Sequence, residues 1–441
     1  MQGMNETQGT APVVYTRDQH PISRADISPN ALKVLYRLHK AGYQACLVGG
    51  GVRDLLLGRE PKDFDVATDA RPEEVRRLFR NCRLIGRRFR LAHVVFGREI
   101  VEVATFRGTP SEAEGEGRVD ANGRIVRDNV FGTIEEDAWR RDFTVNALYY
   151  DISDFTLRDY VGGMEDLEAG RLRLIGEPQQ RIREDPVRML RAVRFAARLG
   201  FRIEDALVRL MPEMAPLIGE VSPARLFDEV LKLFHGGAAV ETFELLRQHG
   251  LFVHLFPMTE AVLAEEEGGF PHTLVTRALA NTDARVQAGK PVTPAFLYAA
   301  LLWEPMRRRM PSLDQKGMSE VQAIQIAGAR TVAQQVRHTA IPRRFSLAMR
   351  EIWGLQPRFE KRTMRHVRAL LGHPRFRAAY DFLLLRAEAG EIPQSLADWW
   401  TEIQERTPEE QAAMVQALGE KEGGPRRRRR RRRRKRQPAS E

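Results

Sequence analysis

The first regular pattern along the chain is helical: Ala31, Val34, Leu35 and Leu38 recur at i, i+3, i+4 and i+7, which gathers them on one face. Ser28 supplies an N-cap, Pro29 a first-turn proline, and Gly42 a stop. Beyond Gly42 the period shortens. Apolar runs (QACLV, DFDVAT, LAHVVF, EIVEVATF, FTVNALYYD) alternate with helical pieces such as PEEVRRLF, predicting a mixed sheet with helices. Between Gly108 and Asn129 the polar, glycine-rich stretch predicts an exposed, mobile loop. After Gly170 strand signals fade and helical spacing takes over. In SPARLFDEVLKLFHGG, Ser222 and Pro223 begin a helix that Gly236 can end, and Thr407 stands in capping-box register with Glu410. The pattern predicts an α+β protein: a loose arm over 1–27, a mixed-sheet unit over 28–170, and a mainly helical remainder.

One segment joins two chemical signals. In VGGGVRDLLLGREPKDFDV, Gly49, Gly50 and Gly51 allow a tight turn into a helix whose first N–H groups can face an anion. Asp63 and Asp65 flank Phe64, so on a strand both carboxylates face one side, as hard oxygen ligands suited to Mg²⁺. A site holding two ions needs a third carboxylate, and two candidates interrupt apolar runs: Glu102 in IVEVATF and Asp142 in WRRDFTVNALYY. Farther on, Asp185 can cap a helix begun by Pro186, and Arg188, Arg191 and Arg194 follow at spacings of three. Seven arginines stand against two acids between Arg181 and Arg202, predicting a cationic surface able to grip phosphate or a base edge bidentately.

Composition changes the picture in one respect. The formal charge of +11 resides in the run Arg426 to Arg436, whose 11 basic residues leave 59 bases against 59 acids elsewhere. Attraction to nucleic acid in the remainder must therefore come from local patches. The tail's self-repelling charge predicts disorder over 421–441. A length of 441 residues predicts about three domains. Cys46 and Cys82 have no zinc-like spacing and read as core thiols in a reducing cytoplasm. The polar N-terminus lacks the pattern of a signal peptide, and the most apolar window, Pro294 to Trp303, is shorter than the roughly 20 residues that span a bilayer.

Taken in order, VGGGVRD, DFDV, RRDFTVNAL and EDPVRMLRAVRF resemble the class II nucleotidyltransferase superfamily, which includes CCA-adding tRNA nucleotidyltransferases and bacterial poly(A) polymerases. The resemblance spans roughly residues 31 to 240. It implies a small nucleotidyltransferase head (28–170), a helical neck with nucleotide and RNA contacts (171–240), a helical body and tail (241–420), and a disordered arginine-rich end (421–441). By resemblance, Asp63 and Asp65 hold the catalytic metals and Asp142 completes the catalytic set, with Glu102 as the lower-weight candidate. Nucleotide contacts fall on Gly50, Arg53, Arg141, Asp185, Arg188, Arg191 and Arg194, with Asp185 and Arg188 reading the base edge without a template.

The segment Cys82 to Gly108, the GGGVRD triplet and the arginine-rich end resemble the poly(A) polymerases more than the CCA-adding enzymes. The implied activity is transfer of AMP from ATP to RNA 3′ ends with release of pyrophosphate. Mg²⁺ is the implied cofactor, and Mn²⁺ fits the same oxygen ligands. Arg426, Arg430 and Arg434 would tether RNA through counterion release. RNA-decay proteins are implied as partners, and oligomeric state is left open. CCA addition to tRNA and a non-catalytic RNA-binding adaptor are the two alternatives.

Overall fold

The computed structural model describes residues 11–86, 90–108, 117–119, 125–128, 130–265, 273–310 and 318–422. Its Cα atoms form two compact units. The first is Met1–Ala261, Thr282–Pro291 and Gln335–Ala340; the second is Val262–Asn281, Val292–Gln334 and Ile341–Glu441. The division therefore falls near residue 261 and is discontinuous, whereas the sequence pattern suggested boundaries near 170 and 240.

The first unit carries strands β1 (Val13–Tyr15), β2 (Ala45–Val48), β3 (Asp65–Thr68), β4 (Cys82–Ile85), β5 (Leu91–Phe96), β6 (Glu99–Thr105), β7 (Gly117–Val119), β8 (Ile125–Asp128), β9 (Leu148–Asp151) and β10 (Thr156–Asp159). Eight of them form one sheet in the order β1-β10-β9-β2-β3-β6-β5-β4. Within it β3 and β6 run parallel, with Asp65 opposite Glu102, and β2 pairs antiparallel to β3 with Val48 opposite Asp65. The unit's first helices are α1 (Pro29–Lys40), α2 (Gly50–Leu56), α3 (Pro72–Leu78) and α4 (Ile134–Arg140).

Helix α1 forms as its spacing predicts. The Ser28 hydroxyl accepts from the Asn30 and Ala31 amides, and Ala31, Val34, Leu35 and Leu38 are all fully buried where α1 packs on β2, β3 and β6. Gly42 follows at φ +89°, a conformation glycine adopts without a Cβ penalty. Four later helices complete the part of this unit that concerns the site: α5 (Gly163–Glu168), α6 (Pro178–Glu184), α7 (Val187–Leu199) and α8 (Asp205–Met214). Helices α9 (Pro223–Phe234) and α10 (Ala239–Gln248) pack against α7, with the Ser222 hydroxyl capping α9.

Four expectations are corrected. Residues 13–27 are not a loose arm, because β1 pairs antiparallel with β10 and Ile22 and Ile27 are buried. Pairing with β10 satisfies the backbone of the VVY strand even though Val13 and Val14 stay exposed, and the surrounding polar composition concealed it. Asp63 lies just ahead of β3 rather than within it, because pairing with both β2 and β6 begins only at Asp65. Cys46 is buried, but Cys82 opens the edge strand β4 and is only partly covered. The expected loop of 108–129 contains the antiparallel pair β7 and β8; most of its remaining residues lie outside the described set.

The second unit is helical, and its interior is aromatic. Trp353 donates its indole N–H to the Ala299 carbonyl (3.1 Å), and Trp400 donates to Phe359 (2.9 Å), so two large buried side chains also satisfy their single donors. The capping box between Thr407 and Glu410 is formed, and the helix it begins, Pro408–Glu422, extends past the expected boundary at 420. Residues 423–441, including Arg426, Arg430 and Arg434, lie outside the described residues. Among the described residues no helix is long and apolar enough to cross a membrane.

Candidate functional site

The site begins at the end of β2, where the chain turns through Gly49 at φ +79°. A Cβ there would adopt a strained backbone and sit 3.4 Å from Asp65 Oδ2 and 3.7 Å from Arg141 Nη1. At Gly51 a Cβ would lie 3.1 Å from the Asp63 carbonyl oxygen. The turn is glycine-built because the backbone of one strand end is pressed against the Asp63–Asp65 segment. Arg53, on the helix that follows, is buried. It donates to Asp54 (2.9 and 2.7 Å) and to Asn146 (2.6 Å), so its charge is matched inside the protein.

Asp65 opens β3 with Glu102 opposite it on β6 and with Asp63 exposed two residues earlier. Burial, then the negative charges of Glu102 and Asp63, push the Asp65 carboxyl up to about 6, against the opposing pull of Arg141. Glu102 is in turn contacted by His93 Nε2 at 3.2 Å across the β5–β6 pair. Three carboxylates thus converge electrostatically on one strand end. Among the described residues no three acidic, imidazole or thiol groups already stand at ligating separation, yet the donor set is all oxygen and its negative charge is only partly offset by Arg141. Those two properties fit a divalent Mg²⁺ or Mn²⁺ ion.

The Arg140–Arg141–Asp142 segment begins with the last residue of α4, a helix that Thr133 and Glu136 start with a reciprocal capping box. Arg181 Nη2 donates to the carbonyls of Arg140 (2.9 Å) and Arg141 (2.5 Å), fixing the main chain. Asp142 does not share the strand end with Asp65 as Glu102 does. Its Oδ2 accepts from Arg191 Nε at 2.7 Å and from Arg191 Nη2, and its Oδ1 from the Phe143 amide at 2.8 Å. Burial alone would raise its pKa, but the Arg191 guanidinium and these hydrogen bonds bring it down to about 2.

The expected cationic surface on α7 is corrected. Three of its four arginines are matched to a carboxylate, Arg188 to Glu184 (3.0 Å), Arg191 to Asp142 and Arg194 to Glu229 (3.3 Å), while Arg198 stands exposed near its end. Glu184 also holds Arg181 at 2.7 Å. The helix lies in the interior, so charge that would be solvated on an isolated helix is paired instead. Asp185 closes α6 as its C-cap residue. Although Pro186 holds the N-cap position of α7, the Asp185 Oδ1 accepts from the Val187 amide at 3.2 Å, the side-chain cap expected at the start of that helix. Its Oδ2 accepts from Arg225 Nη2 at 2.6 Å.

Sequence reasoning missed Asp137, Tyr149, Glu184 and Arg225, which hold the named residues in place. The i,i+4 spacing of Asp137 to Arg141 and of Glu184 to Arg188 was a visible signal. Arg225 and Tyr149 reach across elements and left none.

Comparison with known proteins adds three findings. Family profiles described as "Poly A polymerase head domain", "Probable RNA and SrmB- binding site of polymerase A" and "Polymerase A arginine-rich C-terminus" match residues 45–173, 200–263 and 316–436. Among curated relatives, poly(A) polymerase I of Salmonella typhi is 51% identical over 411 residues, covering 92% of this chain and 88% of its own length. The CCA-adding enzyme of Geobacillus kaustophilus is 40% identical over 225 residues, only 51% of this chain and 54% of its own. Among solved structures, the Bacillus stearothermophilus CCA-adding enzyme in complex with CTP superposes with a TM-score of 0.57 at 25% identity, covering 90% of this chain and 83% of that one.

Proposed function

The chain belongs to the poly(A) polymerase I family of nucleotidyltransferases, and from that premise we propose how its own residues carry out AMP transfer. The activity is template-independent addition of AMP from ATP to RNA 3′ ends. The RNA 3′-hydroxyl oxygen forms a bond to the α-phosphorus of ATP as the bond to the β-phosphate breaks, and pyrophosphate leaves. Near-full-length identity to a poly(A) polymerase, against half-length similarity to a CCA-adding enzyme, is the observation that favours this polymer.

In this reading Asp63 and Asp65 would hold Mg²⁺, or Mn²⁺, with Glu102 as the third carboxylate. Bound there, the metal would lower the pKa of the attacking hydroxyl and neutralise the leaving pyrophosphate. The Gly49–Gly51 turn lets the triphosphate approach the backbone closely, with Arg141 beside it. Arg53, anchored by Asp54 and Asn146, sets the floor of that turn. Asp142 acts through Arg191, tying the catalytic turn to α7. Asp185 and Arg188 read the base edge, each already oriented by a partner, Arg225 and Glu184; such pre-orientation favours one base over adaptable recognition.

Incubating the purified protein with a generic RNA and one nucleotide at a time tests the activity. Long tails with ATP alone are expected. Addition of CTP followed by ATP that stops after three nucleotides on tRNA would contradict it.

The arginine run from Arg426 to Arg436 serves in this reading as an RNA tether acting through counterion release, which raises capture without altering chemistry. Removing residues 425–441 is expected to weaken RNA binding and flatten its salt dependence while turnover at saturating RNA stays within about twofold. An unchanged salt slope would rule the tether out.

A further inference from the structure

Two buried polar side chains near the site belong to none of the motifs that identify it. Tyr149, on β9, is fully buried, with its ring among Cys46, Val48, Ala67, Phe106 and Ala138, and Asp137, on α4, is 5% exposed. Burying a phenol and a carboxylate is costly unless both are hydrogen-bonded. Here the Tyr149 hydroxyl donates to Asp137 Oδ2 at 2.6 Å, and the Arg107 amide donates to Asp137 Oδ1 at 3.2 Å. The remaining partner of both is one guanidinium. Arg141 Nε donates to Tyr149 Oη at 2.9 Å and to Asp137 Oδ2 at 3.1 Å, and Arg141 Nη2 lies 3.1 Å from the same carboxylate oxygen.

The contacts occupy one edge of the planar fork. The Nε and Nη2 side is engaged, and the Nη1 corner is the one that reaches the glycine turn, 3.7 Å from where a Cβ on Gly49 would sit. Asp65 Oδ2 approaches that same point at 3.4 Å. The Arg181 hydrogen bonds to the Arg140 and Arg141 carbonyls fix the backbone from which the side chain springs. A long, flexible side chain is thus oriented by two buried groups, the Tyr149 hydroxyl and the Asp137 carboxylate, on a main chain that Arg181 holds.

We propose that Asp137 and Tyr149 are positioning residues that aim the Arg141 guanidinium, through the Nη1 corner that they leave unengaged, at the triphosphate of ATP held at the Gly49 turn. The proposal rests on the reading of Arg141 as a nucleotide contact. It follows from the geometry that the pair contributes to ATP binding and not to the bond-making step, because the ordering it supplies is the same before and during reaction.

The test is a kinetic cycle with Tyr149→Phe, which keeps the packed ring and removes only the hydroxyl. In the otherwise unchanged protein, Tyr149→Phe is expected to raise KM for ATP by about tenfold, with kcat and KM for RNA within about twofold. In an Arg141→Ala background the same change is expected to leave KM for ATP within about twofold, since no fork remains to be aimed. Where Arg141→Ala does not fold, Arg141→Lys replaces it as the background, because lysine keeps the charge and has no Nε–H edge for the pair to grip. A tenfold Tyr149→Phe effect that persists in either background would overturn the proposal, as would no effect in the parent. If Arg141→Ala itself leaves KM for ATP unchanged, the reading of Arg141 fails, and that result is distinct from a failure of the positioning pair.

Discussion

Replacing Asp65 by alanine or asparagine, or Asp63 by alanine, is expected to reduce AMP incorporation by at least about a thousandfold, because the carboxylates that remain cannot hold the ion in register. The asparagine variant carries a second, opposite signature. The folded, metal-free protein holds the Asp65 carboxyl at about 6, whereas in the unfolded chain it sits at its ordinary value near 3.8. Between those values the folded state binds a proton that the unfolded state has released. Stability therefore falls as pH rises from about 4 through 6, and above 6 the full penalty is present, up to about 3 kcal/mol. Asp65→Asn removes that penalty. Thermal unfolding without metal should place Asp65→Asn above the parent at pH 7.5, with the gap closing toward pH 4. A variant less stable than the parent at both pH values would contradict the crowding of carboxylates at this site.

The Asp142–Arg191 pair has the opposite sign. Its carboxyl is brought down to about 2, so its stabilisation is present above about 4 and is lost only as pH falls through 2. Truncating Asp142 to alanine leaves Arg191 half-buried beside apolar neighbours and without its carboxylate. A destabilisation of about 2 to 3 kcal/mol is expected, below the full cost of breaking a deeply buried pair because Arg191 keeps 32% side-chain exposure. Denaturant unfolding of Asp142→Ala, Arg191→Ala and the double variant should give a coupling of at least about 1 kcal/mol. Strict additivity would show that the two residues act independently.

Much of this was legible in the chain. The apolar stripe of α1, the Ser28, Ser222 and Thr407 caps and the glycine turn before Asp63 and Asp65 are local patterns, fixed by residues a few positions apart. What the pattern hid depends on which elements meet. The parallel pairing of β3 with β6 sets Glu102 opposite Asp65 across 37 positions of sequence, and nothing at either end announces that register. Likewise the arginines of α7 looked like a cationic face because their partners Asp142 and Glu229 lie far away in sequence. Strand β1 was missed because three apolar residues in a polar segment carry little signal until β10 is there to pair with them.

Titrating Mn²⁺ against the parent protein, Glu102→Gln and Asp142→Asn, with the free ion followed by electron paramagnetic resonance, tests the carboxylate assignment without relying on turnover. Losing a carboxylate ligand should weaken binding by at least about tenfold in Glu102→Gln, while Asp142→Asn, whose carboxylate is committed to Arg191 and the Phe143 amide, should stay within about threefold of the parent. The reverse order, with Asp142→Asn losing the ion and Glu102→Gln keeping it, would contradict the assignment of Glu102 as the third carboxylate.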